Sequence, residues 1–131
     1  MSIHPTVIIH PNAEIGRSVE IGPYSVIGEY VKLGDNNKIY NNVTILGKTT
    51  IGNNNAFFPY AIIGTSPQDL AYKNDLTELR IGNDNIFREF VSVNLGTVKG
   101  DNVTIIGNKN LIMAYSHIAH DCILEDEIIM A

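Results

Sequence analysis

The most constraining feature of this chain is an aliphatic or aromatic residue at every sixth position from Ile3 to Ile63. These anchors are Ile3, Ile9, Ile15, Ile21, Ile27, Leu33, Ile39, Ile45, Ile51, Phe57 and Ile63. The period fits neither an amphipathic helix, which repeats about every 3.6 residues, nor a half-buried strand, which repeats about every two. It fits a chain that turns a corner at each repeat and closes a triangular coil after three corners, so that successive coils stack as parallel strands.

A second repeating position supports the same architecture. The residue four places after each anchor is mostly small, β-branched or Asn, and such side chains can share a narrow interior with the long anchors. Asn also tolerates the left-handed backbone that sharp corners need, which suits the runs at 36–37 and 53–55. The chain is therefore predicted to be an all-β protein, a parallel β-helix.

The repeat is interrupted twice. Residues 64–80 break the pattern, whereas Ile81 returns in phase with the earlier anchors, and we interpret this range as a loop extruded from a corner. The series breaks again at Lys99 and resumes one residue late at Ile106. A single insertion near residues 99–101 accounts for that slip.

Length and composition limit the remaining classes. The 131 residues, 44% of them apolar, predict one domain over residues 1–131 with about seven coils. Cys122 is the only cysteine, which excludes an internal disulfide framework, and its inward position favours a role as inert filler. The net charge of −5, without a run of Lys or Arg, argues against nucleic acid or an anionic membrane as partner. No signal peptide or spanning segment is recognisable, so a cytoplasmic protein without stable membrane insertion is expected.

The strongest candidate for chemistry is the segment His117-Ile118-Ala119-His120-Asp121. Ile118 is an inward anchor, so its neighbours should face outward, and one corner of one coil should present both histidines. A histidine can accept a proton from a substrate hydroxyl near neutral pH, and an adjacent carboxylate can orient the ring. The alternative is that both are ordinary surface histidines on a polar corner.

Four segments resemble the UDP-N-acetylglucosamine O-acyltransferases, which depend on acyl carrier protein and belong to the hexapeptide-repeat acyltransferases of lipid A biosynthesis. Residues 113–122 resemble the family's active-site segment, 3–6 its opening, 67–72 its extruded loop, and 88–97 the strand and turn that follow. The resemblance covers the whole chain in order. It implies a left-handed parallel β-helix, which is an exception to the usual right-handed crossover.

The resemblance also implies a reaction, the transfer of a 3-hydroxyacyl group from acyl carrier protein to the 3-hydroxyl of the sugar in UDP-N-acetylglucosamine. His120 matches the family's general base, and Asp121 would orient its imidazole. His117 matches a residue that lines the sugar pocket, and Gln68 and Asp69 match loop residues that contact the acceptor sugar. Direct transfer needs no metal and no cofactor. Family members are homotrimers with active sites between subunits.

Two positions depart from the family pattern. Asn94 stands where many members carry His, and Ala71 stands where many carry Lys. Asn retains a donor and an acceptor but cannot become cationic. We keep Asn94 as a candidate substrate-binding residue and expect a changed substrate preference, such as acceptance of a 3-amino analogue of the sugar nucleotide. Neutral drift in a tolerant site is the alternative.

Two further hypotheses remain open. The family continues with more coils and a helical region beyond the position of Ala131, so this chain is expected to be its N-terminal half, as a fragment or a truncated product. It would then be a catalytically incomplete β-helix that acts only as a scaffold or trimerisation module. A zinc enzyme such as a γ-class carbonic anhydrase needs three His ligands. His117 and His120 could provide two of them, but His4 and His10, the only other histidines, lie far away along the coil.

Overall fold

Three parallel sheets form the three faces of a triangular prism. The computed structural model describes residues 2–131, and within that range every paired strand is parallel and no helix occurs. The described residues therefore contain no helix that could cross a membrane. The strands, β1 to β19, visit the sheets in strict rotation from sheet A to sheet B to sheet C.

Each sheet collects every third strand in chain order. Sheet A contains β1 (Ser2–Ile3), β4 (Glu20–Ile21), β7 (Lys38–Ile39), β10 (Ala56–Phe57), β13 (Ile86–Phe87), β16 (Leu111–Ile112) and β19 (Ile129–Met130). Sheet B contains β2 (Ile8–Ile9), β5 (Val26–Ile27), β8 (Thr44–Ile45), β11 (Ile62–Thr65), β14 (Ser92–Asn94) and β17 (His117–Ile118). Sheet C contains β3 (Glu14–Ile15), β6 (Lys32–Leu33), β9 (Lys48–Ile51), β12 (Glu78–Ile81), β15 (Val103–Ile106) and β18 (Ile123–Leu124).

The anchors stack directly on one another and fill the interior. Ile21 pairs with Ile39, and Phe57 pairs with Ile39 on one side and Phe87 on the other. The rings of Phe57 and Phe87 are stacked with centroids 4.8 Å apart. Burial of each such side chain contributes about 2 kcal/mol, so the repeat that predicted the fold also provides its core. The predicted parallel β-helix is confirmed.

The corners between sheets C and A (the CA corner) and between sheets A and B (the AB corner) share one backbone device. A residue three places before the next anchor adopts a positive φ, as at Asn36 (57°) and Asn54 (61°). The same conformation occurs at Tyr24 (62°), Tyr60 (68°) and Phe90 (61°). Stacking on the neighbouring coil therefore imposes this conformation even on aromatic residues, which ordinarily avoid it.

The corner between sheets B and C (the BC corner) is interrupted by a loop of residues 66–77 between β11 and β12. Ile81 pairs with Ile51, thirty residues earlier, whereas regular coils pair residues eighteen apart. The coil is thus longer by two whole repeats, and the phase of the anchors is unchanged. The expected range of about 64–80 is wider than this loop because its ends belong to the flanking strands.

A second excursion at the BC corner comprises residues 95–102, between β14 and β15. Ile106 pairs with Ile81, twenty-five residues earlier. The one-residue slip in the sequence therefore corresponds to seven inserted residues, since seven and one give the same phase in a repeat of six. The insertion lies where the sequence located it, but the phase alone could not measure its length.

Candidate active site

The BC corner collects most of the candidate site residues in three consecutive coils. The loop of residues 66–77 leaves it in one coil, the excursion of residues 95–102 leaves it in the next, and His120 and Asp121 form it in the coil after that. Because successive coils are in register, these segments project from the same edge of the prism. The edge with irregular sequence is therefore the edge that carries the chemistry-bearing side chains.

His120 and Asp121 form a dyad at this edge. The Nδ1 atom of His120 lies 2.8 Å from Oδ2 of Asp121. The His120 side chain is 35% exposed, whereas that of Asp121 is only 14% exposed. Asp121 also has a positive φ of 62°, and its backbone N–H donates to the hydroxyl of Thr104 at 3.0 Å. The carboxylate is thus enclosed while the imidazole remains accessible.

The carboxylate of Asp121 accepts further hydrogen bonds from the second excursion. The backbone N–H of Thr97 donates to Oδ1 at 2.9 Å, and the Thr97 hydroxyl donates to Oδ2 at 2.5 Å. The backbone N–H of Asp101 donates to Oδ1 at 3.1 Å. Burial alone raises the pKa of Asp121, but the hydrogen bonds from Thr97 and His120 outweigh it and leave the pKa below its ordinary value. Asp121 is therefore a carboxylate at neutral pH, and an ionised carboxylate only accepts, so Nδ1 of His120 is the donor.

His117 lies on the outer face of sheet B, in β17, and not on the corner itself. Its Nδ1 atom is 2.7 Å from the hydroxyl oxygen of Ser92, its parallel neighbour one coil away. The sequence interpretation that one corner presents both histidines is wrong in this respect, because His117 occupies a strand position and His120 follows the strand.

Asn94 is buried at the end of β14, where the second excursion begins. Its side chain is 3% exposed, and Nδ2 donates to the hydroxyl of Thr65 at 3.1 Å. Its Oδ1 has no hydrogen-bond partner among residues 2–131. The side chain of Asn94 therefore links the ends of β11 and β14, where the two excursions begin, and its Oδ1 remains a free acceptor.

The loop residues Gln68 and Asp69 differ in their surroundings. Gln68 is exposed, whereas Asp69 accepts a hydrogen bond from the backbone N–H of Ala71 at 2.9 Å. Asp69 lines a narrow cleft whose opposite side includes Thr97 and Lys99. The structure therefore brings Asp69 to the excursion that holds Asp121, and Thr97 is the residue between them.

Other cavities and ligand groupings lie outside this arrangement. A cleft of about 490 Å³ lies on the AB corner near Pro23 and Tyr40, remote from the dyad. Among residues 2–131, no three His, Cys, Asp or Glu side chains are grouped as a metal site would require. Cys122 packs against the hydrophobic core and is partly buried. The dyad edge is the only part of the described chain where a histidine, a hydrogen-bonded and partly buried carboxylate and an extruded loop coincide.

Sequence reasoning missed the residues that support the candidate side chains. Thr97 lies four places after the anchor Val93, and nothing in the sequence indicates that it contacts Asp121, 24 positions away. Ser92, which contacts His117, was not identified at all. The available signal was the phase slip next to Thr97, which marked an irregular segment without showing what it contacts.

Comparison with known proteins places the chain in a family. A family model described as the GMPPB C-terminal domain matches residues 3–105, which is more than half of the chain. An acyl-[acyl-carrier-protein]--UDP-N-acetylglucosamine O-acyltransferase from Helicobacter pylori strain J99 is 53% identical over 85 residues, covering 65% of this chain and 32% of the relative. The matched part of the chain thus spans about a third of the length of that curated relative.

Solved structures extend the similarity to the full described chain. The crystal structure of a UDP-N-acetylglucosamine acyltransferase has a TM-score of 0.99 at 51% identity, covering 100% of this chain and 51% of the other. The corresponding enzyme from Campylobacter jejuni has a TM-score of 0.92 at 44% identity, covering 98% of this chain and 50% of its own. A coil of opposite hand could not superpose this closely, so the predicted left-handed winding is confirmed. The chain therefore belongs to the family of the GMPPB C-terminal domain model, as a left-handed parallel β-helix that matches about half of a UDP-N-acetylglucosamine acyltransferase.

Proposed function

We propose that this chain is part of an acyltransferase that moves a 3-hydroxyacyl group from acyl carrier protein to the 3-position of UDP-N-acetylglucosamine, the first step of lipid A biosynthesis. The observation that carries the proposal is the 2.8 Å contact between His120 and the ionised, enclosed Asp121. The proposal is also supported by the similarity to UDP-N-acetylglucosamine acyltransferases. A polarised imidazole beside an extruded loop suits the activation of a sugar hydroxyl.

The proposed reaction begins at the free nitrogen of His120. Because Nδ1 donates to Asp121, Nε2 carries the lone pair that can accept a proton. Nε2 removes the proton of the sugar 3-hydroxyl as its oxygen attacks the thioester carbonyl carbon. The carbon–sulfur bond then breaks, and the imidazolium returns the proton to the leaving sulfur. Every proton transfer in this sequence uses His120, and no metal or cofactor is required.

Four further side chains are proposed to contact the substrate. We assign Gln68 and Asp69 to the acceptor sugar, and His117 to the wall of the sugar pocket. Gln68 is exposed and His117 is half-buried, which leaves both accessible to a ligand. Asn94 retains an unpartnered acceptor, and a buried acceptor of this kind favours a ligand or water that donates to it.

Asn94 also supports a proposal about the acceptor. Because its amide cannot become cationic, it would not repel a protonated amine at the sugar 3-position, and this difference concerns a 3-amino analogue and not the neutral 3-hydroxyl. We expect faster turnover with UDP-N-acetylglucosamine bearing a 3-amino group than with the ordinary 3-hydroxyl form. Measured under identical conditions, equal or better turnover of the hydroxyl form would contradict this preference.

We further propose that the protein is a cytoplasmic homotrimer with active sites between subunits. The outer face of sheet B, which carries His117, also presents Ile8 and Ile62 with 65% and 42% exposure. Exposed apolar groups on the face that carries His117 suit a partner subunit that would cover them. Size-exclusion chromatography with light scattering should give three times the chain mass of 14.4 kDa, and a stable monomer would contradict the trimer.

The test of the proposed function is a transfer assay with 3-hydroxyacyl carrier protein and the sugar nucleotide. His120→Ala should lower the rate by about 10²- to 10⁴-fold, the usual contribution of a general base. His10→Gln is a matched control, because His10 follows a sheet B strand at the opposite end of the same edge. Activity that is unchanged in His120→Ala would assign catalysis elsewhere, and a wild-type chain without transfer would favour the scaffold alternative.

A further inference from the structure

We propose that residues 97–101 form a carboxylate cradle that fixes the orientation of Asp121 and, through it, the tautomer of His120. In this proposal Thr97 is a positioning residue, which acts on the reaction only through Asp121. The catalytic consequence rests on the function proposed above, but the structural claim does not. The cradle is the segment whose insertion causes the phase slip in the sequence.

The first observation is that the cradle and His120 together occupy every acceptor direction of the carboxylate. Oδ1 receives the backbone N–H groups of Thr97 and Asp101, and Oδ2 receives the Thr97 hydroxyl and Nδ1 of His120. A carboxylate has about four lone-pair sites. Three of the four donors come from the cradle, so rotation of the carboxylate would break bonds that His120 alone could not replace.

The second observation is independent of hydrogen bonding. A Cβ atom added to Gly100 would overlap the carboxylate group of Asp121, with no flexible side chain between them. Gly100 therefore lets the cradle backbone approach the carboxylate from one side. Its φ is not in the positive region, so the close approach to Asp121, and not backbone conformation, explains a glycine at this position.

The third observation is that the cradle is itself closed by local hydrogen bonds. The backbone N–H of Gly100 donates to the carbonyl of Thr97 at 3.2 Å, and that of Asn102 donates to the same carbonyl at 3.0 Å. The Thr97 hydroxyl accepts from the Gly100 backbone N–H at 3.1 Å. Thr97 is only 5% exposed. Such a preformed turn presents its donors without a further ordering cost when His120 changes its protonation state.

These contacts explain why the free nitrogen of His120 is Nε2. An unrestrained aspartate could turn away and let the ring adopt either neutral tautomer. Held in the cradle, Oδ2 always faces Nδ1, so the proton stays on Nδ1 and the lone pair of Nε2 points away from Asp121. Thr97 and Gly100 thereby determine which ring atom is available to a substrate.

The first test is a ¹⁵N NMR measurement of the imidazole nitrogens at a pH where His120 is neutral, using the 131-residue chain. Wild type should show the Nδ1-protonated form of His120. Thr97→Val, which keeps the side-chain shape but removes the hydroxyl, should shift both nitrogens toward the average of two tautomers, and Thr97→Ser should restore the wild-type signals. Thr77→Val is the matched control, because the buried Thr77 hydroxyl has no partner among residues 2–131.

Gly100→Ala provides a second, independent route to the same signal, since it displaces the carboxylate without removing a donor. Circular dichroism establishes that each variant is folded before its spectrum is compared. Unchanged His120 signals in both folded Thr97→Val and Gly100→Ala would overturn the cradle. This measurement requires no turnover, so it decides the cradle even if the transfer assay shows no acyltransferase activity.

The kinetic test then connects the cradle to the proposed reaction. Thr97→Val should lower kcat on the order of tenfold, a part of the contribution of a general base, while KM is unchanged because the buried Thr97 hydroxyl is directed at Oδ2 of Asp121. Thr97→Ser should recover kcat, and Thr77→Val should match wild type. A rise in KM with unchanged kcat would overturn the positioning role and make Thr97 a binding residue.

Discussion

The CA corner and the BC corner connect the same coils by contrasting means. At the CA corner, Asn37, Asn55, Asn85 and Asn110 form an internal ladder in which each side-chain oxygen accepts from the next coil's backbone. At the BC corner, no such ladder runs through residues 2–131, and two excursions leave the prism instead. The ladder repeats the same hydrogen bonds from coil to coil, whereas the BC corner has a different structure in each coil of its C-terminal half.

The contrast indicates a division of roles between the corners. A solenoid derives its stability from contacts between neighbouring coils, and the CA corner supplies such contacts in nearly identical copies. Because that edge holds the coils in register, the BC corner need not repeat and can accommodate the dyad. The following changes test whether stability and the candidate site are separated in this way, beginning with the largest expected effect.

The largest effect should come from breaking the internal ladder at its centre. Asn55 accepts from the backbone and side chain of Asn85 at 2.9 and 3.0 Å and donates to the carbonyl of Gly82 at 3.0 Å. Asn55→Ala leaves these buried groups unpaired, which should lower the free energy of unfolding by about 3 kcal/mol. Urea unfolding measures this loss.

A matched control lies on the outside of the same corner. Asn53 is exposed, and its Oδ1 accepts from the backbone N–H of Asp35 at 2.8 Å. Since water can replace that acceptor, Asn53→Ala should cost only about 1 kcal/mol. Equal losses for Asn53→Ala and Asn55→Ala would show that burial of the ladder contributes nothing.

The next effect compares one substitution at both corners. A Cβ on Gly82, at the CA corner, would lie 2.6 Å from the carbonyl oxygen of Gly107, so Gly82→Ala should destabilise the protein by about 2 kcal/mol. A Cβ on Gly28, at the BC corner, would first meet a Leu46 methyl at 3.1 Å. That side chain can shift, so Gly28→Ala should change stability by less than about 0.5 kcal/mol. Thermal unfolding of both variants tests the difference, and a larger loss for Gly28→Ala would reverse the proposed roles of the corners.

A smaller effect should appear in the pH dependence of stability through Asp121. Because its pKa is below the ordinary value of 3.8 in the folded protein, the ionised form stabilises the fold above that value. This contribution should disappear as the pH falls through the lowered folded pKa. Urea unfolding of wild type and Asp121→Asn should therefore differ at pH 6 and converge in acid.

The control for that experiment removes a carboxylate charge that the cradle does not contact. Asp84 is exposed on the CA corner, and Asp84→Asn removes the same charge there. A wild-type advantage over Asp121→Asn that stays constant from pH 6 into acid would contradict a contribution from ionisation of Asp121.

The smallest effect is expected on the outer face of sheet C. Lys32 and Glu14 form an ion pair at 3.7 Å, with side chains 62% and 71% exposed. Exposed pairs contribute little because water and salt screen them, so Lys32→Gln should change the free energy of unfolding by less than about 0.5 kcal/mol. A loss as large as that of Gly82→Ala would show that the faces, and not the CA corner, hold the coils together.

The sequence predicted the repeating features and the places where the repeat is interrupted, but it missed the conformations and contacts that neighbouring coils impose. The anchors predicted the coil and its period, the family resemblance predicted the hand of the winding, and the asparagines at 36 and 54 indicated their own corners. The positive φ of Tyr60 was not predictable from its residue type, because the neighbouring coil imposes it. The length of the second excursion could not be predicted, because insertions of one and of seven residues shift a six-residue repeat by the same phase.

The candidate site shows the same limit. His120 and Asp121 could be identified because they are adjacent in sequence, and their contact needs no knowledge of the fold. The contact between Thr97 and Asp121 depends on stacking of two coils and on the exact path of an irregular segment. Single-copy contacts between distant residues leave no periodic signal, which is why the dyad was predictable and its support was not.

The two excursions have an evolutionary consequence. One lengthens its coil by twelve residues and the other by seven, yet β12 and β15 pair with their neighbours as if nothing had been inserted. Insertions and deletions at this edge therefore leave the stacking of the anchors intact, whether or not they shift the phase of the repeat in the sequence. A lineage can change the length and chemistry of these segments while the prism stays the same, so new specificities can arise without a new fold.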